Sequence, residues 1–249
     1  MRRLVLFGAP VLLGLVNLAH PVLAPPVYDA VLGHLPWWVR LHLLNLALFP
    51  LFALAGWLLL RDVKNAAATV SRVALAVFVP LYCGFDAAIG IGTGVLVEQA
   101  RQLPAAQTAT ASHMIDGYWG SGALQGLAVA GSIAWVASML AAAVALSAPD
   151  RRRLTAIAAV VVFGITGWAR SQLFQAHGSP TIRPAWWLVT IATALLMAAV
   201  ARPRAPAALL ALAGSLFGAT HVPPTGPMGA ACFLGAAALL EHGSDRTDA

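Results

Sequence analysis

Eight apolar runs, separated by short connections that hold most of the arginines, constrain this chain more than any other feature. They cover residues 4–23, 37–60, 73–97, 119–146, 154–174, 185–201, 207–220 and 228–240. Most approach the ~20 residues that a helix needs to cross a bilayer core of about 30 Å. Within hydrocarbon a helix satisfies its own backbone amides. Composition agrees: 60% of the 249 residues are hydrophobic and 10% charged, where soluble domains carry about 25% charge. The mean hydropathy is +0.80. The expected fold is an all-α, polytopic transmembrane helical bundle of about eight membrane segments, with seven as the alternative count. Its last two segments are short and broken around Pro223-Pro224. Residues 1–241 form a single integral membrane domain, and 242–249 a polar cytoplasmic tail.

The net charge of +6 does not point to nucleic acid. Lysine occurs once, at Lys64, and the arginines cluster between apolar runs, which is a topology signal. Arg2, Arg3, Arg61, Lys64, Arg72, Arg151, Arg152, Arg153, Arg202 and Arg204 fall on one side. Arg40, Arg101, Arg170 and Arg183 fall on the other. The positive-inside rule then places the protein in the cell membrane as a multi-pass chain with both termini cytoplasmic. Met1-Arg2-Arg3 and Val22-Leu23-Ala24 imitate a signal peptide. The apolar run is long for that role, however, and Pro25-Pro26 would follow the cut, so a retained segment is expected. The two cysteines, Cys83 and Cys232, lie within apolar runs and lack metal-type spacing.

This topology gathers the polar side chains. His20, His34, His42, His113, His177 and His221 fall toward the external side, and only His242 inside. Asn17 and His20 share a helix face, as do His42 and Asn45, and Ser121 and Gln125. Asp86 falls near the middle of its segment, where a carboxylate costs about 3 kcal/mol or more unless neutralised or paired. A histidine or Arg170 is the expected partner. Tyr82 lies one turn before it and Gly90 one turn after, and Gly90-xxx-Gly94 offers a small-residue packing face. His221-Val222-Pro223-Pro224 cannot continue a regular helix. The run before it offers only about 22 Å of rise, so the break should lie below the outer surface, where irregular backbone lines a buried or wet cavity. Trp37, Trp38, Tyr118, Trp119, Phe174, Trp186 and Trp187 crowd the same side.

Short fragments resemble known intramembrane proteases. Gly120-Ser121-Gly122-Ala123 with Gly126 is similar to part of the rhomboid serine motif, and His221 followed by Gly226 to the rhomboid histidine helix. Trp119 stands where the motif has its first glycine, and two extra segments separate serine from histidine. Phe217-xxx-His221 and Glu98-xx-Arg101 resemble pieces of the CAAX-type proteases, whose double glutamate is absent. These fragments cover under a tenth of the chain and imply no membership. No lysine falls in a late segment, which excludes a retinal Schiff base.

The expected function is an enzyme acting on a lipophilic, isoprenoid- or lipid-like substrate by acid chemistry in an intramembrane pocket. Small membrane-bound terpene cyclases have this size and character. Asp86, His42 and His221 are the expected catalytic residues. Asn17, His20, Asn45, Tyr82, Trp119, Gln125 and His177 would line the substrate. This reading requires no cofactor. One alternative is an outward-facing haem or divalent-metal site ligated from among His20, His42, His177 and His221. Another is a proton-coupled transporter or channel with Asp86 as carrier. The expected partners are the lipid bilayer and a lipophilic small molecule, with no nucleic acid.

The charge asymmetry predicts accessibility. Cysteines introduced at Asp62 and Asp150 should be shielded from an impermeant thiol reagent in intact cells, and ones at Gln107 and Ser179 labelled. External labelling at position 62 would reverse the orientation.

Overall fold

The computed structural model describes residues 1–23, 25–174 and 184–245, with side chains for 1–23, 25–169 and 186–242. The described residues form helices without a strand. In chain order these are α1 (Arg2–Leu18), α2 (Val27–Leu32), α3 (Leu35–Leu59), α4 (Ala66–Asp86), α5 (Thr93–Ala100), α6 (Ala105–Trp119), α7 (Gly122–Leu146), α8 (Arg152–Phe174), α9 (Pro184–Val200), α10 (Arg204–Ala219) and α11 (Thr225–Asp245). Four stretches are long and apolar enough to cross a membrane: Leu35–Leu59, Ala66–Ala100, Ala105–Leu146 and Arg152–Ala169. The shorter apolar helices Trp186–Val200 and Arg204–Ala219 accompany them. The described residues are thus all-helical, and their apolar helices are compatible with an integral membrane protein.

Most apolar runs become helices close to their expected bounds, but α1 ends at Leu18 rather than at 23 and α4 begins at Ala66 rather than at 73. The run at 73–97 is not one regular helix: a π turn, Ala87–Gly92, joins α4 to α5. The last run is not short, because α11 has 21 residues and continues through Glu241 to Asp245. The polar end of the chain thus begins as helix. Two further helices, α2 and α6, form in connections that the hydropathy pattern leaves between segments. α6 buries only Ile115.

Packing places α4 along α7, α10 against α7, α9 and α11, and α1 against α3 and α11. The aromatic core at their centre contains Phe49, Phe52, Phe78, Trp135, Phe217 and Phe233, all essentially inaccessible. Trp135 satisfies its indole N–H on the Ala213 carbonyl at 3.0 Å, the usual requirement for a buried indole. Close approach of α10 relies on small residues, with Gly214 against Met139 and Gly218 against Val136.

The ends of the bundle differ in chemistry. At the basic end, Arg2 meets Glu241 at 2.6 Å and ties α1 to α11. Arg72 donates to the carbonyls of Leu60 and Val63, just after α3, and lies over the Trp57 ring at 5.6 Å. α1, α4 and α10 run from this end toward the opposite one, and α3 runs back toward the basic end. The far ends of α1, α4 and α10, with the beginning of α3, therefore converge, and the buried histidines lie there.

Candidate functional site

Three interruptions of regular helix build the site. The first is the end of α1. Asn17, on its last turn, donates to the Leu13 carbonyl at 2.9 Å and pairs with the Asn45 amide of α3 at 3.3 Å. The chain then leaves the helix, and Trp37 caps it by donating to the Ala19 carbonyl at 2.8 Å. His20 follows directly and turns inward, 6% exposed.

The second interruption is the π turn after Asp86. A π turn opens the helical ladder and is frequent at functional sites. Here its carbonyls accept from outside: Trp38 Nε1 donates to Gly90 O at 2.6 Å, and Tyr118 Oη to Ala88 O at 2.8 Å. α3 and α6 come close because this segment is glycine-rich. A Cβ at Gly90 would collide with the His42 ring, one at Gly92 would press on Tyr118 Oη, and one at Gly94 on Val39. The Gly90-xxx-Gly94 face is thus occupied by α3, and it sets the depth of His42.

The third is the bend between α10 and α11. Thr220 is extended, and Pro223-Pro224 bars a continuous helix. Local bonds hold the bend: the Val222 amide donates to Thr220 Oγ1 at 3.2 Å, and Thr225 Oγ1 donates to the Thr220 carbonyl at 3.2 Å. Gly226 is required here, since a Cβ would strike the His221 backbone. His221 is held inward and is 5% exposed.

These devices bring His20, His42, His221, Asp86 and Tyr82 together. His42 Nδ1 lies 3.0 Å from Asp86 Oδ1, and His221 Nε2 lies 3.6 Å from the same oxygen. Tyr82 Oη bonds to His221 Nδ1 at 3.0 Å. His20 Nδ1 lies 2.7 Å from the Pro21 carbonyl oxygen. Asn45 also faces the Asp86 carboxyl. The three imidazoles touch edge to face, with centroids 5.0 Å apart for His20–His221, 5.2 Å for His20–His42 and 6.3 Å for His42–His221. Asp86 is 1% and His42 2% exposed.

Of the residues singled out by sequence, Asp86, His42, His221, His20, Tyr82, Asn17 and Asn45 lie in or against this cluster. Trp119 stands one ring removed, 6.0 Å from Trp38. Gln125 is outside it, donating to the Trp119 carbonyl at 2.9 Å. His177 and the Arg170 side chain lie outside the described residues. His221 bonds to Tyr82 and faces Asp86 rather than Ser121, which precedes α7. Two wall residues escaped the sequence reading. Trp38, grouped above only with the outer-side aromatics, lies against His42 at 4.4 Å and His20 at 5.3 Å. Phe49 lies against His221 at 5.5 Å and Tyr82 at 5.0 Å. Their signal was helical spacing: Trp38, His42, Asn45 and Phe49 lie three or four apart on one face of α3.

A scan against protein-family models and searches of curated proteins and solved structures each find no match.

The glycine contacts predict a contrast. Gly90→Ala should displace His42 and cost about 1–3 kcal/mol, as overpacking does. Gly84→Ala, whose methyl would meet only Leu127 at 4.0 Å, should be neutral or slightly stabilising. Thermal melts in detergent check the order of the two variants. Equal melting would show that Gly90 does not seat His42.

Proposed function

We propose that this chain is a multi-pass membrane enzyme of eight segments, with both termini cytoplasmic, acting on a lipophilic substrate by acid chemistry at the His20–His42–Asp86–His221 cluster. The observation that carries this reading is the burial of three imidazoles and a carboxyl in one contiguous group inside an apolar bundle. Ionisable groups inside a membrane are costly and are kept where they serve ion, proton or substrate chemistry. Gluing helices together needs far less: the Asn17–Asn45 amide pair already joins α1 to α3.

The walls support the substrate class. Trp38, Phe49 and Tyr82 present aromatic faces beside the polar groups. Such π faces suit an isoprenoid- or lipid-like molecule and stabilise positive charge that develops on it. Asp86, His42 and His221 hold the reactive position in this reading. Asn17, Asn45 and His20 order them, and Tyr82 is placed to exchange a proton with His221. The acid in this reading is a proton or a Lewis-acidic ion held by the imidazoles.

Membrane extracts of cells expressing the wild type, Asp86→Asn and His221→Ala should separate this reading from a structural one. Wild-type cells should accumulate or deplete a lipophilic species by at least several-fold, and the variants, at matched membrane abundance, should not. Lipid profiles identical across wild type, variants and empty vector would overturn an enzymatic role on lipophilic molecules.

A further inference from the structure

The ring nitrogens of the three histidines present a pattern that acid–base chemistry alone does not require. One nitrogen of each of His20, His42 and His221 lies within 4.8 Å of the corresponding atoms of the other two. On every ring the Nδ1 atom is already engaged: with the Pro21 carbonyl, with Asp86 Oδ1 and with Tyr82 Oη. A carbonyl oxygen only accepts, so His20 carries its hydrogen on Nδ1. An ionised Asp86 imposes the same tautomer on His42. On every ring Nε2 is buried and has no hydrogen-bond partner. Buried acceptors are ordinarily satisfied, and leaving one unmade costs about 1–3 kcal/mol. His20 and His42 thus present Nε2 lone pairs, and His221 does the same when Tyr82 Oη accepts from its Nδ1; one common acceptor would then satisfy all three.

We infer that His20, His42 and His221 bind one first-row divalent transition ion of the zinc class through their Nε2 atoms. This deepens the proposed function, because it names the acid of that site as a Lewis acid, and it rests on that reading for its catalytic meaning. The donor set selects the ion: neutral imidazole suits zinc and its neighbours, whereas calcium and magnesium take oxygen ligands. The outer hydrogen bonds of His20 and His42 are those that metal-bound histidines use, with the second ring nitrogen donated to a carbonyl or a carboxylate. Asp86 then orients His42 and offsets part of the ion's charge in a medium where an uncompensated cation is costly. Three protein ligands leave a fourth position for water or a substrate oxygen, the arrangement of catalytic rather than structural zinc. A porphyrin fits less well, because imidazoles at centroid distances of 5.0–6.3 Å leave no slot for a flat macrocycle between them.

The test uses the full chain in detergent, purified with a tag free of histidine. Zinc should be found at about one ion per chain by elemental analysis. After chelator stripping, Co²⁺ should restore stoichiometric binding and give the visible bands of a tetrahedral nitrogen site. The triple variant His20→Ala/His42→Ala/His221→Ala should hold neither ion, while His34→Ala and His113→Ala retain both. Asp86→Asn, which preserves size and can still accept from His42, should weaken zinc binding about 10- to 100-fold, as loss of an outer-sphere carboxylate does. Wild type that remains metal-free after incubation with Zn²⁺ or Co²⁺ would overturn the inference. So would metal retained by the triple variant, or a haem absorption band in the purified protein. Altered lipid profiles without metal would overturn the ion and leave the enzyme reading standing. Stoichiometric metal with unchanged lipids would do the reverse.

Discussion

The hydrogen bond between His42 Nδ1 and Asp86 Oδ1, 3.0 Å long and closed to solvent, is the contact on which the upper half of this molecule depends. Each partner would be expensive alone in an apolar bundle. Breaking a buried pair by deleting one member typically costs about 3–5 kcal/mol, because the survivor is left unpaired. The bond forms only if α3 approaches the end of α4 closely. The glycines of the π turn allow that approach, and Gly90 faces the imidazole directly. Trp38 then closes over the ring and donates to the Gly90 carbonyl that the π turn leaves available.

The irregular backbone of the bundle is concentrated around this pair. The end of α1, the π turn and the Thr220–Pro224 bend each free backbone groups that a continuous helix would have used internally. Each is repaid locally: Ala19 O by Trp37, Ala88 O by Tyr118, Thr220 O by Thr225. Below the cluster the logic changes. Phenylalanines and Trp135 interlock, and glycine and alanine let α10 close on α7. A packed apolar floor thus supports a buried polar cluster, an arrangement that holds side chains in fixed geometry.

Much of this was legible in the chain itself. Apolar run length against bilayer thickness gave the helical class and the run positions, because a backbone in hydrocarbon has few ways to satisfy its amides. The cost of an intramembrane carboxylate singled out Asp86, and the bar to helix at Pro223-Pro224 singled out His221. The i,i+3 spacings Asn17–His20 and His42–Asn45 placed those pairs on common faces, and the structure joins Asn17 to Asn45 across two helices. Length and periodicity misjudged the last segment. α11 begins immediately after the double proline and continues past Glu241, since polar residues at a helix end need no membrane.

What the sequence by itself determined is therefore which residues are too costly to be incidental and roughly how deep each lies. Only the tertiary structure decided which of them meet. Helix rotation, the extra residue in the π turn and the direction of the turn after Leu18 are set by packing between segments distant in sequence, and hydropathy carries no record of them. Those three choices put His20, His42 and His221 edge to face, aim their Nδ1 atoms at oxygens, and leave Trp119 and Gln125 to one side. The physical reason is that burial is priced residue by residue, whereas a site is a matter of angles between helices.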